Sequence, residues 1–387
     1  MAISIDSRCG RIALMVAHCA GMVDLVALPI WVGALIAHYH FDPQQAGGLA
    51  TLFLLGVVLV SVMLAPRFAR LHGRVVAACG FGAAAVAFAA ASRSGDFGTL
   101  AVLHAIAGVA TGAGLSVTHG TIARSARPHR LYAIVGTALG VFALLFVVAT
   151  PQIMAAAGAP ALFVVFAVVM AVAALVAMVG FPALPAVPAT ANTARARAPI
   201  SAAVWFGIIG IACMTVVQAM TFSFLERVGN DRGFERQAIN GVLIASGLVN
   251  LLPAALAALL ERRWRARNVL LAGPVLQALL AATIMNATGF VPYALAGSVF
   301  VAVMIFSHTF AFGLLAKLEP SGRALAATPA MLMLGSAIGP LLGGTLVKTF
   351  GYGSLGLAAA ATAVVAVFCF SRLPSGTANA FPKETPA

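Results

Sequence analysis

Apolar runs, each about as long as a bilayer crossing, recur along the chain and are parted by short polar or Gly/Pro breaks. They fall at about 12–37, 46–66, 75–92, 98–122, 131–154, 161–181, 201–225, 238–260, 269–287, 291–316, 324–347 and 354–371. A spanning helix takes roughly 20 apolar residues, so the pattern predicts twelve transmembrane helices. The breaks at Gly158 and Gly289 are the shortest. One polar stretch is much longer than the rest: Pro182 to Pro199, rich in Pro, Ala and Thr, divides the runs into six and six. The expected organisation is an N-terminal six-helix bundle at 1–182, a cytoplasmic linker at 183–199, a C-terminal six-helix bundle at 200–372 and a cytoplasmic tail at 373–387. The fold class is all-α integral membrane.

Composition agrees with that picture. Of 387 residues, 62% are hydrophobic and 9% charged, against roughly 25% charged in a soluble domain. The net charge of +13 first suggests a nucleic-acid partner, but the basic residues are placed otherwise. With the N-terminus in the cytoplasm, 18 of the 23 Lys and Arg residues lie on the cytoplasmic side, and only Arg93, Arg227, Arg232, Arg236 and Lys348 lie outside. This is the positive-inside bias. It predicts a multi-pass protein of the inner (plasma) membrane, both termini cytoplasmic, embedded in the lipid bilayer and binding no nucleic acid. The five cysteines show no C-x-x-C spacing, which argues against a disulfide framework or a metal site. No cofactor is expected, and a monomer suffices.

Polar residues inside apolar runs are costly in lipid and often serve ion or solute pathways. Of ten acidic residues, Asp24 alone falls near mid-membrane, and Pro29 follows it by little more than one turn. That spacing predicts a carboxylate just ahead of a helix bend, where freed backbone carbonyls can share a proton or hold a cation. A hydrogen bond that merely ties two helices is the structural alternative. No Lys or Arg lies deep in a run. A site that clamps phosphate or a dicarboxylate between arginines is therefore disfavoured, and a neutral, amphiphilic or cationic solute fits better.

Gly335, Gly339 and Gly343 recur every fourth residue in the run 324–347. On a helix they form one smooth stripe that lets another backbone come close. Pro340 interrupts the ladder and frees the carbonyl of Ser336, a break tolerated in lipid where a neighbouring helix, a hydroxyl or water satisfies it. Such a helix either slides against its partner or forms a rigid packing seam. The halves also echo one another. The basic loop at Pro66 to Arg74 is matched about 191 residues later by Ala257 to Arg267, and Gly136 and Gly140 make a glycine step comparable to Gly335 and Gly339.

Gly335-x-x-x-Gly339-Pro340-x-x-Gly343-Gly344 and the two basic loops resemble the major facilitator superfamily over essentially the whole chain. The family's loop signature, G-x-x-x-D-R-x-G-R, is degenerate in both copies. The first keeps Gly73 and Arg74, with Arg70 where the acid should be. The second keeps Glu261, Arg262 and Arg265, with Trp264 in place of glycine. The resemblance implies alternating access, with these loops as the cytoplasmic gate, and a central cavity lined by helices 1, 4, 7 and 10. His18, His104, Gln218 and His308 then become cavity candidates, with Asn250 of helix 8 in reach. Asp24 and His104 are the expected proton-coupling pair, because His104 begins His104-x-x-x-Gly108-x-x-x-Gly112, where many relatives carry an arginine. Packing is the alternative for each histidine, and His119 is assigned to packing.

No H-E-x-x-H, G-x-S-x-G or G-x-x-x-x-G-K-[ST] occurs, so neither a membrane enzyme nor an ATP-driven pump is expected. The first expectation is proton-coupled export of a small amphiphilic or cationic compound. The second is proton-driven uptake of a small metabolite, and a channel or non-transporting receptor is the remote alternative.

Overall fold

A computed structural model describes residues 3–64, 71–125, 128–182, 201–260, 263–319 and 328–374. Among these residues there are fifteen α-helices and no strand. The first half holds α1 (Arg8–Gly21), α2 (Val23–Ala37), α3 (Pro43–Leu64), α4 (Gly73–Ala91), α5 (Phe97–Ala123), α6 (Pro128–Ala157) and α7 (Ala161–Gly180). The second holds α8 (Ala202–Ser223), α9 (Leu225–Asp231), α10 (Arg236–Val249), α11 (Pro253–Leu260), α12 (Ala266–Asn286), α13 (Phe290–Leu318), α14 (Thr328–Phe350) and α15 (Gly353–Ser371). Eleven stretches among the described residues are long and apolar enough to cross a membrane, with α1–α2 and α8–α9 counting once each. The remaining expected span is α10–α11, cut at Asn250 into pieces of 14 and 8 residues. The two shortest predicted breaks are real. Gly158 ends α6 with φ +85, a conformation open to glycine, and Gly289 caps the start of α13. The proposed linker at 183–199 lies outside the described residues.

Each half packs around its own helices. In the first, α5 lies against α3 and α4, and α7 against α4 and α1; in the second, α8 lies against α14, α15 and α13, and α12 against α13 and α15. The halves meet mainly through α3 on α14, α2 on α8 and α9, and α6 on α10. The main partners of α1 are α5, α6 and α7, all in its own half. Contact is thus concentrated at the end of the molecule that carries Asp42 and Lys348, away from the end with the arginine-rich loops. We call these the Asp42 end and the basic end.

The α3–α14 seam shows how this closure is built. Thr51 Oγ1 donates to the carbonyl of Ala337 at 2.7 Å and accepts from the N–H of Leu341 at 3.1 Å. A regular helix would join those two backbone groups directly. Beside Pro340, a hydroxyl from the opposite half bonds to both of them. The carbonyl it takes is that of Ala337, next to the Ser336 carbonyl that Pro340 frees. Small residues let the backbones approach: a Cβ on Gly47 would lie 2.7 Å from the carbonyl carbon of Pro340, and one on Gly344 2.7 Å from that of Pro43. At the rim, Lys348 Nζ reaches Asp42 Oδ2 at 2.8 Å. Slight burial pushes the Asp42 carboxyl up. The Lys348 ammonium and the N–H groups of Gln45 and Gln44 outweigh it and hold the group below the usual carboxylate range.

The glycine stripe faces elsewhere. A Cβ on Gly339 would lie 2.6 Å from that of Ala219, and one on Gly343 3.0 Å from Met220 Cγ and Phe224 Cε2; Gly335 abuts Thr215 and Ala212. All of these partners lie on α8, Phe224 just beyond its end, in the same half. The stripe seats α14 on α8, while the adjoining face of Ala337, Pro340, Leu341 and Gly344 meets the other half. The Gly136–Gly140 comparison does not hold at the level of contacts. Nothing lies within 4 Å of a Cβ on Gly136, and Gly140 meets only the side chain of Leu251.

Candidate functional site

The first spanning segment breaks at Met22 (φ −110, ψ 22), which ends α1 and starts α2. Gly21 presses on Leu115 of α5, leaving 2.6 Å between a built Cβ and Leu115 Cδ1. Asp24 follows in the first turn of α2, where the unpaired N–H groups of a helix start favour a carboxylate. A break thus precedes Asp24, and Pro29 lies inside α2. Asp24 is 1% exposed, and its Oδ1 is buried without a hydrogen-bond partner. From Val23 to Leu35 every residue of α2 is buried except Leu25. Leu25, one residue from the carboxyl, is 42% exposed, and α3, α6, α8 and α9 contact α2.

Towards the basic end, His18 lies six residues before Asp24, about 9 Å of helix rise. Its Nδ1 is 3.0 Å from Nε2 of His119 on α5, with ring centroids 5.2 Å apart. One of these nitrogens must carry the shared proton. The structure thus pairs a cavity candidate with the histidine that had been assigned to packing.

His104 is fully buried. Its Nδ1 meets the carbonyl of Leu100 at 2.6 Å, and its Nε2 lies 3.3 Å from Trp31 Nε1. A single neutral tautomer, donating to Leu100 and accepting from Trp31, satisfies both. Trp31 stacks on the imidazole at 5.3 Å, and Phe163 closes edge-on at 5.4 Å. The Gly108 and Gly112 that follow bring α5 onto α3, a built Cβ lying 2.7 Å from the Phe53 carbonyl carbon and 2.6 Å from Val57 Cα, respectively.

Gln218 Oε1 accepts from Gln277 Nε2 at 3.3 Å, and the same nitrogen donates to the Met214 carbonyl at 3.1 Å. Gln277, buried on α12, had no place in the sequence reading. Asn250 caps α10 at the break before α11, with Oδ1 buried and unpartnered; Nδ1 of His308 on α13 is likewise unpartnered. Buried polar atoms without partners are few in folded proteins. Nine such atoms occur among the described residues, spread over both halves, and Asp24 Oδ1, Asn250 Oδ1 and His308 Nδ1 are three of them.

One acid escaped the sequence reading. The seventh run was ended at residue 225, but a one-residue break at Phe224 (φ −105, ψ 4) only interrupts the helix, and α9 takes Glu226 inside the span Ala202–Asp231. Its Oε2 is buried and unpartnered. The same local device, an acid two residues past a break, had already marked Asp24.

Of the expected gate residues, Arg70, Glu261 and Arg262 lie outside the described residues. Arg74 donates through Nε and Nη2 to the carbonyl of Phe181, at 3.2 and 3.0 Å, and Gly73 abuts the Phe181 ring, so this loop ties α4 to the end of α7. Arg265 caps α12 and borders a cavity of about 780 Å³ between α10–α11, α12 and α13. That cavity belongs to the second half alone, and Asp24 does not line it.

The chain matches the family model described as Major Facilitator Superfamily over residues 13–321. No curated protein matches it. Among solved structures it is similar to a mutant form of the nucleoside transporter NupG, with TM-score 0.74 and 15% identity over 93% of this chain and 98% of that one. It is similar also to a D-xylose-proton symporter, with TM-score 0.74 and 14% identity over 94% and 97%. At such identities the likeness is one of fold.

Proposed function

As the chain belongs to the major facilitator superfamily and is a multi-pass membrane transporter, not an enzyme, we propose that it moves a small solute by alternating access, coupled to protonation of Asp24. The observation that carries this is the Asp24 carboxyl: buried, lacking a partner at Oδ1, and next to Leu25, the one exposed residue between Val23 and Leu35 of α2. A carboxyl that must serve a path through lipid is stable there as the neutral acid or beside a cationic solute. The positive-inside bias supports placing the basic end in the cytoplasm. The Asp42 end, where the halves touch, is then closed to the outside. His104 serves packing in this reading, since one neutral tautomer uses both of its nitrogens, and the His18–His119 pair is the better candidate for passing a proton towards the cytoplasm.

Export of an amphiphilic or cationic compound is the first reading. Among the described residues no ion pair involves Asp24, so a cationic solute would meet a carboxyl not already neutralised. Symport into the cell is the second, favoured by the fold shared with a D-xylose-proton symporter. Proteoliposomes carrying a pH-sensitive dye and an imposed proton gradient separate the two. Ethidium, uridine and xylose serve as test solutes, and the sign of the solute-driven proton flux gives the direction. Asp24→Asn is expected to abolish gradient-driven accumulation; if accumulation persists, Asp24 does not couple protons.

A further inference from the structure

Glu226 stands where the two halves touch, and the reading above leaves it without a task. A Cβ built on Gly33 of α2, in the opposite half, would lie 3.2 Å from Glu226 Oε2 and 3.3 Å from its Cδ. The carboxyl is pressed against the backbone of the first spanning segment at a point that a larger residue would crowd. Oε2 is buried there with no partner. Gly33 is nine residues beyond Asp24, or about 13 Å of helix rise towards the Asp42 end.

The groups around it divide by state. On α9 itself, Arg227 is held by Asp231 through Nε at 3.0 Å and Nη2 at 2.9 Å. Just beyond α9, Arg232 donates to the carbonyls of Met285 and Ala287. From α13, Tyr293 gives its hydroxyl to the Leu225 carbonyl at 2.8 Å. Between Asp24 and the end of α2 there is no titratable side chain, and the half of α12 beyond Gln277 has none. Among the described residues, Arg236 of α10, which is exposed, is the cation that bears on Glu226. With the seam shut, the side chain of Asn230 and the field of Arg236 bear on the carboxyl, but Oε2 itself faces the α2 backbone without a donor. With the seam open, water would serve Oε2 as well.

We propose that Glu226 is a second proton-binding site: the neutral acid lets α2 and α9 close on each other at Gly33, and loss of the proton drives them apart. The proposal rests on the alternating-access part of the reading above and not on the role given there to Asp24.

The test uses full-length protein in lipid nanodiscs, its native cysteines replaced, with spin labels at Ala37→Cys and Glu235→Cys. Distances between the labels are measured from pH 5 to pH 9. The closed, short-distance population should fall at least fivefold across that range. Glu226→Gln should stay closed throughout, and Glu226→Asp should restore a pH response with a displaced midpoint. Thermal melts confirm that each variant is folded. The carboxylate–ammonium pair at the same end does not confuse the result, because Asp42 is held below the usual carboxylate range. A Glu226→Gln curve that follows wild type, or a wild-type distance indifferent to pH, overturns the proposal. If Glu226→Gln is blind to pH while Asp24→Asn still accumulates solute, the Asp24 reading fails and this one stands. If Asp24→Asn flattens the distance curve and Glu226→Gln does not, the reverse holds.

Discussion

Thr51 is the sharpest place to perturb the closed seam. Its hydroxyl makes two hydrogen bonds to α14 across the halves, one given to Ala337 and one taken from Leu341, and the residue is 4% exposed. Both bonds exist only while α3 and α14 are in contact. Thr51→Val keeps the side-chain shape and removes both. At a net value of about 1 kcal/mol per bond, the closed state loses about 2 kcal/mol relative to the open one. That is roughly a 30-fold change in the open-to-closed ratio. Spin labels at His38→Cys and Thr349→Cys, on opposite sides of the seam, read that ratio as the weights of the short and long distances. Thr51→Ser keeps the hydroxyl and is expected to behave as wild type. A folded Thr51→Val protein as closed as wild type would refute the reasoning, as would a Ser variant that opens as far as Val.

Three further outcomes follow from the same contacts. Gly339→Ala sets a methyl 2.6 Å from Ala219 Cβ within one half; overpacking of about 1–3 kcal/mol should lower the melting temperature and leave the open-to-closed ratio unchanged. Gly344→Ala meets Pro43 of the opposite half and should instead favour the open state in the label-distance measurement. Asp42→Asn should weaken closure by about 0.2–1 kcal/mol, as befits an exposed pair, and by the same amount throughout pH 5–8. The sign follows from the lowered proton affinity of Asp42: its contribution is whole above the ordinary value of 3.8 and is lost only as pH falls through the lower folded value. A loss that varied between pH 5 and 8 would contradict it.

The order of spans was legible because lipid imposes a length and a composition on every crossing helix. The same rule misplaced one boundary. Glu226 is charged and follows an apolar run, so hydropathy ends the run before it, whereas α9 continues for another turn and more. Pro29 was read as the bend because proline removes a donor. The structure adds a break at Met22, beside the contact of Gly21 with Leu115, which lies 94 positions further along the chain. The glycine motif shows the same division. Its spacing announced a close approach, and its partner, α8 of its own half, was invisible until the helices were placed.

Spacing and residue type were enough for the twelve crossings, the two halves, the family, the isolated carboxyl at Asp24 and the smooth face of α14, since each depends on neighbours one or two turns away along the chain. Packing alone decided that Thr51 bonds to Ala337 of α14, that His18 meets His119, that Trp31 takes Nε2 of His104, and that Glu226 lies against Gly33. Those pairs are separated by 286, 101, 73 and 193 residues, respectively. Whether a buried polar atom finds a partner depends on which helix face arrives opposite it, and no local pattern carries that information.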